Sequence, residues 1–490
     1  MKNKSLQKFI FVFLFVLSGT ILNWLLYQKP LIGIDDANIY FVYMRNFANG
    51  NGFVYNAGGE HVEGFTSLLW TLTGSLVFRF SSQPEITLLI LNVLIVSFTL
   101  WQLILFTGKF FADQRILFSC TIFILASLIL VPGYFDWAIL ALLETGLWSC
   151  LLILTIITLC RFEFENENHS RNNFLFSMLL ALLLLCRPES YLWGAVFLFI
   201  RYLQLKRISH RGKNFSLSSF ILPAAVFVAA VAGITACRIF YFGFPFPNTY
   251  YAKVSSNHLS NLINGIKYDI HFAMDFSFLS LVLLCSAVFI IHKFKNHSSD
   301  IKFHISQIIF FSILITLLIP LYTGGDHFRL ARFIQPVVPL FYFLFVLIIT
   351  DYFKKQITII TSPTAVTAAL ILVFLSPASG LIRYLTSKAP EQEDFILAQE
   401  GRKLGSRMSD FFDMCNPLPS NGITVAGGEA FSYKGVSVDL LGLNSVYIAH
   451  AERNKEGPKD HASLNRDCVL NLAPDRSEEH TSEVQSPYVI

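Results

Sequence analysis

The stretch Phe9–Tyr27, FIFVFLFVLSGTILNWLLY, carries no charged residue and follows Lys2, Lys4 and Lys8. At about 1.5 Å rise per helical residue it is long enough to cross a bilayer core of roughly 30 Å. It is longer than the core of a secretory signal, and no small-residue cleavage site precedes the polar segment that follows. It reads as a first spanning helix with its basic end inside.

Composition extends that reading to the whole chain. Of 490 residues, 54% are hydrophobic and 14% charged, with a mean hydropathy of +0.54, a balance that belongs in lipid rather than in a soluble domain. The net charge of +4 is small, and Lys and Arg fall in short clusters between apolar runs, which argues against a nucleic-acid partner. Six cysteines, Cys120, Cys150, Cys160, Cys186, Cys237 and Cys285, lie in or beside apolar runs, where they act as small hydrophobes. Cys415 and Cys468 fall in the polar tail, where an oxidising compartment would allow a disulfide.

Twelve apolar runs are candidate spans: 9–27, 66–80, 86–107, 116–132, 146–160, 174–186, 189–203, 219–240, 278–292, 305–323, 333–350 and 357–376. Short cytoplasmic loops collect Lys and Arg. Basic clusters occur at Lys109/Arg115, Arg161/Arg171, Lys206/Arg207/Arg211/Lys213, Lys293/Lys295/Lys302 and Lys354/Lys355. All five fall inside if the short, hydroxyl-rich run 66–80 lies in the interface instead of crossing, which leaves about eleven transmembrane helices. Loops 28–65, 133–145, 241–277 and 324–332, the Arg187-Pro188-Glu189 hairpin and the tail from 377 then share the outer face. No internal repeat is evident.

The tail shows a helical stretch over 391–414, then strand and turn signals at 423–428 and 436–439, the pattern of a small α/β domain. Residues 1–376 form the transmembrane module and 377–475 the external domain. Residues 476–490, beginning RSEEHTSEVQS, read as translated sequencing-adapter sequence, so the natural C-terminus is expected to be missing.

The acids of the outer face are the candidates for chemistry. Asp35 and Asp36 directly follow the first span, at the height where a lipid-borne substrate presents its head group. A carboxylate there can take a proton from an attacking hydroxyl or hold a divalent cation. The plainer alternative is a solvated loop or an N-cap for an interfacial helix 36–47. Arg187 with Glu189 could form a structural salt bridge in the hairpin. Glu144 and Asp326 suit sugar hydroxyls, or a divalent cation shared with Asp35, although acids on separate loops define no coordination geometry. Lys253, Arg329 and Arg332 can hold a phosphate, with lipid head groups as the alternative partner. His61, His327 and His450 carry no signal beyond surface histidines. The pairs Gly58-Gly59 and Gly427-Gly428 are turn signals outside any phosphate-loop context. Tyr40, Tyr43, Tyr55, Trp70, Tyr250 and Tyr251 read as an interfacial aromatic belt, or as surfaces for sugar rings.

Several stretches together carry a resemblance. They are Asp35-Asp36-Ala37 with Tyr43 and Arg45, Gly52-Phe53-Val54-Tyr55-Asn56, Val62-Glu63-Gly64-Phe65-Thr66, Leu143-Glu144-Thr145-Gly146-Leu147 and Cys186-Arg187-Pro188-Glu189. Further along come Pro247-Asn248-Thr249-Tyr250-Tyr251-Ala252-Lys253, Gly324-Gly325-Asp326 and Val438-Asp439-Leu440-Leu441-Gly442-Leu443. This ordered set resembles the mycobacterial terminal β-arabinofuranosyltransferase family of the GT-C glycosyltransferase superfamily. It departs from the family at Asn444, where relatives commonly have an acid.

The resemblance implies a polytopic all-α membrane protein of GT-C type with a C-terminal external α/β domain. It also implies transfer of a hexosyl or pentosyl group from a polyprenyl-phosphate sugar donor to a cell-envelope glycan or lipid acceptor. The expected setting is the outer face of a bacterial inner membrane, with Asp35 or Asp36 as general base. Arg45, Glu63, Glu144, Arg187, Glu189, Asn248, Lys253, Asp326, Arg329 and Arg332 are the expected substrate contacts. This reading singles out no cofactor, and a divalent cation on Asp35, Glu144 and Asp326 stays open. A flippase for lipid-linked glycans is the competing class; transporters place binding groups near the bilayer midplane on broken, repeated helices.

Overall fold

A computed structural model describes residues 2–164, 169–210, 218–253, 258–296, 300–387, 393–451 and 466–477. Seven of its helices are long and apolar enough to cross a membrane. They are α1 (Lys2–Tyr27), α4 (Pro84–Thr107), α7 (His169–Cys186), α9 (Ser218–Phe242), α11 (Ser277–Lys295), α12 (Ile301–Thr323) and α13 (Val338–Tyr352), the last together with the turn Gln335–Val337 that leads into it. Two further spans are bent. Helix α5 (Gln114–Leu130) turns by 75° into Gly133–Leu140, and Lys354–Ile360 meets α14 (Pro363–Phe374) at 79°. Pro132 and Pro363 sit at these bends, as expected of a residue that lacks a backbone donor.

Seven to nine candidate spans are thus described, against the eleven expected, and two shorter or more charged helices lie beside them. Helix α6 (Thr145–Arg161) starts beside Glu144, which binds Arg187 just ahead of α8 (Ser190–His210). At the other end, Gln204 of α8 donates to the Leu159 carbonyl at 3.0 Å and to Glu163 at 2.8 Å. The two helices therefore run between the same two faces.

Helix α3 (Leu68–Phe80), the run 66–80 of the sequence, does not cross. At its start the Ser67 amide donates to the Tyr40 hydroxyl, and Tyr40 belongs to α2 (Asp35–Ala48). Just beyond its end, Glu85 accepts a 2.9 Å bond from Arg402 in α15 (Glu393–Phe411), the first helix of the tail. Both ends lie on the tail's side, so α3 turns back along α2. Helix α10 (His258–Asp275) stays on that side too. Its Tyr268 hydroxyl accepts from the Phe333 amide, and its Asp275 carbonyl accepts from Ser376 and Ala378 beyond α14. Leu259, Leu262, Ile263, Ile266, Ile270 and Met274 form an exposed apolar stripe along it, the pattern of a helix lying in the interface.

The basic clusters gather at the opposite end. Asp351 takes Lys293 at 2.6 Å and Lys354 at 2.8 Å, and Arg207 lies 3.3 Å from Glu163. Arg211 and Lys213 lie outside the described residues.

In the tail, β1 (Asn421–Ile423), β2 (Ser437–Asp439) and β3 (Arg476–Ser477) form a parallel sheet in the order β2-β1-β3, with α15 and α16 (Gly428–Ser432) packed together. The two expected strands fall within two residues of their sequence signals. The expected tail helix is described from Glu393, with 391 and 392 outside the described residues. Of the terminal stretch, Arg476 and Ser477 pair with Asn421 and Gly422, and 478–490 lie outside the described residues. Cys415 is exposed and Cys468 buried.

The aromatic residues of the first loop also differ from expectation. Tyr40, Tyr43, Tyr55 and Trp70 are buried rather than set in an interfacial belt. Each phenol or indole finds a partner inward: Tyr40 with Thr66, Tyr43 with Asn444, Tyr55 with the Ala426 carbonyl and Trp70 with the Leu142 carbonyl. A tyrosine has an apolar ring and one polar tip, and the tail provides both a cover and an acceptor. Tyr250 keeps an exposed ring.

Candidate active site

Helix α2 begins at Asp35, with Ile34 as its N-cap and both aspartates in the first turn. The aspartates are therefore favoured by the helix N-terminus without capping it through a side chain, unlike the cap allowed by the sequence. Successive helical positions point about 100° apart, and the two carboxylates part company.

Asp35 faces the tail. Its Oδ2 accepts from the Gly427 amide at 2.9 Å and its Oδ1 from the Gly428 amide at 2.7 Å. Burial pushes its carboxyl up to about 7; the Gly428 and Gly427 bonds pull the other way, and the charges of Asp36 and Asp394 add to the rise.

Asp36 faces a cationic group. Its Oδ2 lies 3.6 Å from Arg332 Nη1 and 4.0 Å from Lys253 Nζ, and its side chain is 27% exposed. Arg332 Nε donates to Asp326 Oδ2 at 2.6 Å, and its guanidinium lies 4.2 Å from the Phe328 ring centre and 5.6 Å from that of Trp137. The loop that carries Asp326 and Arg332 holds Gly324, Gly325, Leu330 and Ala331 at positive φ, a conformation unfavourable for Leu and Ala. Lys253 ends the short helix Asn248–Lys253. Arg329 is exposed, and among the described residues its guanidinium has no partner.

Beside this group Arg187 joins two acids. It meets Glu189 through two bonds of 3.0 and 3.1 Å and Glu144 at 2.5 Å. Burial opposes ionisation of Glu189, but the Arg187 guanidinium holds its carboxyl below the usual range. The salt bridge anticipated for the hairpin is present, and it includes Glu144. Glu144 Oε2 is buried without a hydrogen-bond partner.

Beneath Arg187, Glu189 and Arg332, a slot of ≈ 20 Å³ runs between the spanning helices, lined by Trp148, Leu152, Trp193 and Ile319. That is room for about one water. The slot's lining combines these charged side chains with apolar ones.

Other expected substrate contacts have structural partners. Glu63 is buried against Arg238 of α9, which reaches both its oxygens at 2.9 to 3.2 Å. Arg45 donates to the Phe431 carbonyl at 2.7 Å and stacks on the Phe431 ring. Asn248 donates to the carbonyls of Gly442, Leu443 and Ser445. Asn444 accepts from Tyr43 and donates to Asp439, so it links the first loop to the tail. Much of the ordered motif set is thus the seam between the first loop and the tail. Among the described residues no three His, Cys, Asp or Glu side chains gather as for a metal ion. Asp35, Glu144 and Asp326 turn to different partners, namely backbone amides, Arg187 and Arg332.

Four contributors have little or no sequence prominence. Arg238 is a lone cation inside an apolar span, a placement that signals a buried partner. Lys29 is fully buried and paired with Asp136. Arg402 bridges Asn38 and Glu85. Asp394, in the first turn of α15, is pushed up to about 6 by burial and by Asp36 and Asp326, against the opposing charges of His327 and Arg332.

No protein-family model and no curated protein sequence matches the chain. Its fold is shared with solved structures. ArnT from Cupriavidus metallidurans bound to undecaprenyl phosphate superimposes with a TM-score of 0.56 at 10% identity, over 97% of this chain and 91% of that one. The apo form of the same protein gives 0.54 at 10% identity, over 97% and 90%. At 10% identity the likeness establishes a shared fold. It does not extend to the mycobacterial family toward which the motifs pointed.

Proposed function

We propose that this chain is a membrane glycosyltransferase that moves a sugar from a polyprenyl-phosphate donor to a hydroxyl of a cell-envelope glycan or lipid, on the outer face of a bacterial inner membrane. The observation that carries the reading is the placement of Asp36 within 4.0 Å of both Lys253 and Arg332, the second of which lines the slot between the spanning helices. A base and two cations are the parts such a reaction needs at one point. The GT-C fold, shared with a protein that binds undecaprenyl phosphate, supports the lipid donor.

In the reaction, Asp36 takes the proton of the acceptor hydroxyl as the acceptor oxygen bonds to the anomeric carbon. The bond from that carbon to the phosphate oxygen breaks, and polyprenyl phosphate leaves with the electron pair. Lys253, Arg329 and Arg332 stabilise the charge that develops on the leaving phosphate. The described slot is too small for a sugar, so donor binding must widen it.

Purified protein in liposomes, given polyprenyl-phosphate sugars and glycoside acceptors, tests the reading. Free polyprenyl phosphate with glycosylated acceptor is expected. Donor that crosses the bilayer unchanged would mark a flippase and end this assignment.

A further inference from the structure

We propose that the tail supplies a residue to this site: Asp394 accepts a hydrogen bond from a hydroxyl of the acceptor sugar. The inference rests on the glycosyl transfer just described and adds to it the part of the chain that holds the acceptor.

Three contacts fix the orientation of α15. Arg402 donates through Nε to Asn38 Oδ1 at 2.6 Å and through Nη1 to Glu85 at 2.9 Å. One turn earlier, the Ala398 carbonyl packs so closely on Gly428 that a Cβ on that glycine would fall 2.3 Å from it, and Gly428 is the residue whose amide holds Asp35. Next to Asp394, Phe395 is buried with its ring centre 5.3 Å from Lys29 Nζ. Lys29 pairs with Asp136, the neighbour of the Trp137 whose ring lies beside Arg332.

Residues 394, 398 and 402 are spaced i, i+4 and i+8, so they share one stripe of α15. Arg402 meets α2 at Asn38, and Ala398 meets the glycine pair at Asp35. Asp394 is the next step along the same stripe, toward Asp36. Its electrostatic neighbours are His327, Asp36, Arg332 and Asp326, the members of the cationic group and its acids.

An acid in the first turn of a helix is favoured by the helix N-terminus, and the exposed Glu393 already occupies such a place. Asp394 instead has two other acids, Asp36 and Asp326, among the charges that oppose its ionisation. A carboxylate has only acceptor sites, and sugar hydroxyls are donors that suit it. Asp36 and the cations serve the reacting bond, which leaves Asp394 to the part of the acceptor beyond its nucleophilic oxygen.

The test uses the full chain in liposomes with polyprenyl-phosphate arabinofuranose or a hexose counterpart as donor and the matching octyl glycosides as acceptors. Asp394→Asn is expected to raise the acceptor KM about tenfold, consistent with weakening a hydrogen bond to a charged group. Donor KM and slow donor hydrolysis by water should keep their wild-type values. Glu393→Gln, on the exposed side of the same turn, should leave all of these unchanged. An unaltered acceptor KM in Asp394→Asn, or a parallel fall in donor hydrolysis and melting temperature, overturns the inference and assigns Asp394 to structure. Wild-type protein that releases polyprenyl phosphate to no acceptor removes the glycosyltransferase reading itself, and this inference with it.

Discussion

Asp35 and Gly427 stand 392 residues apart in the chain and meet in the structure, where the glycine amide donates to the aspartate Oδ2 at 2.9 Å. The contact is close enough that a Cβ on Gly427 would fall 2.0 Å from the Asp35 carbonyl oxygen and 2.6 Å from Oδ1. Gly427→Ala should therefore push the tail from α2. Faster tryptic cleavage within 393–451 and a loss of transfer are expected, and an unchanged digestion pattern with full activity would refute the seam as drawn.

The same contact should respond to pH. The Asp35 carboxyl stands at about 7 against an ordinary 3.8, so the folded protein binds this proton more tightly than the unfolded chain. Its contribution to stability is full below about pH 4, shrinks as pH rises through about 7 and is lost above that. Melting temperatures of wild type and Asp35→Asn in detergent should diverge in this sense between pH 5 and 8. Parallel curves would mean that Asp35 is not the group that titrates.

Asp36→Asn removes the proton acceptor while keeping the shape of the side chain. Transfer should fall by about 10²- to 10⁴-fold. Donor binding, read by retention of polyprenyl phosphate in a liposome pull-down, should persist or strengthen because a negative charge beside the phosphate is gone. A double-digit percentage of wild-type transfer in this variant would move the role of base elsewhere.

Arg332→Lys keeps the charge and loses the planar fork that spans Asp36 and Asp326. Donor KM should rise by roughly tenfold or more, with a smaller change in acceptor KM, in steady-state assays of polyprenyl phosphate release. Equal KM values for donor in the two proteins would exclude Arg332 from the phosphate site.

Arg187→Gln leaves Glu144 and Glu189 without their common cation. Stranding a buried charge destabilises on the order of 3 kcal/mol, so the melting temperature in detergent should drop by several degrees. Adding Glu144→Gln should restore part of the loss, since the neutral amide no longer needs a counter-ion. A single variant that melts like wild type would show the triad to be dispensable for folding.

What could be read from the residues follows the reach of the forces involved. The spans were legible because crossing lipid demands about twenty apolar residues in a row, and the two-sidedness because Lys and Arg mark one face. The hydroxyl-rich, short run 66–80 was recognisable as non-crossing on the same grounds, and Glu85 bound to Arg402 bears this out. The mutual placement of Asp35 and Asp36 was not legible, because adjacent carboxylates are chemically alike and only their surroundings distinguish them. The pairs Glu63 with Arg238, Lys29 with Asp136 and Asn248 with the 442–445 carbonyls join residues far apart in the chain, and no local pattern names such partners.

By itself the sequence determined that this is a polytopic helical membrane protein with its candidate-site acids on one face, because hydrophobic length and charge bias are properties of contiguous residues. The tertiary structure alone decided that the tail docks on the first loop, that Asp35 belongs to that seam and that Asp36 belongs to the cations. Those assignments depend on which distant surfaces come within hydrogen-bonding range, a matter of three-dimensional packing that distance along the chain does not encode.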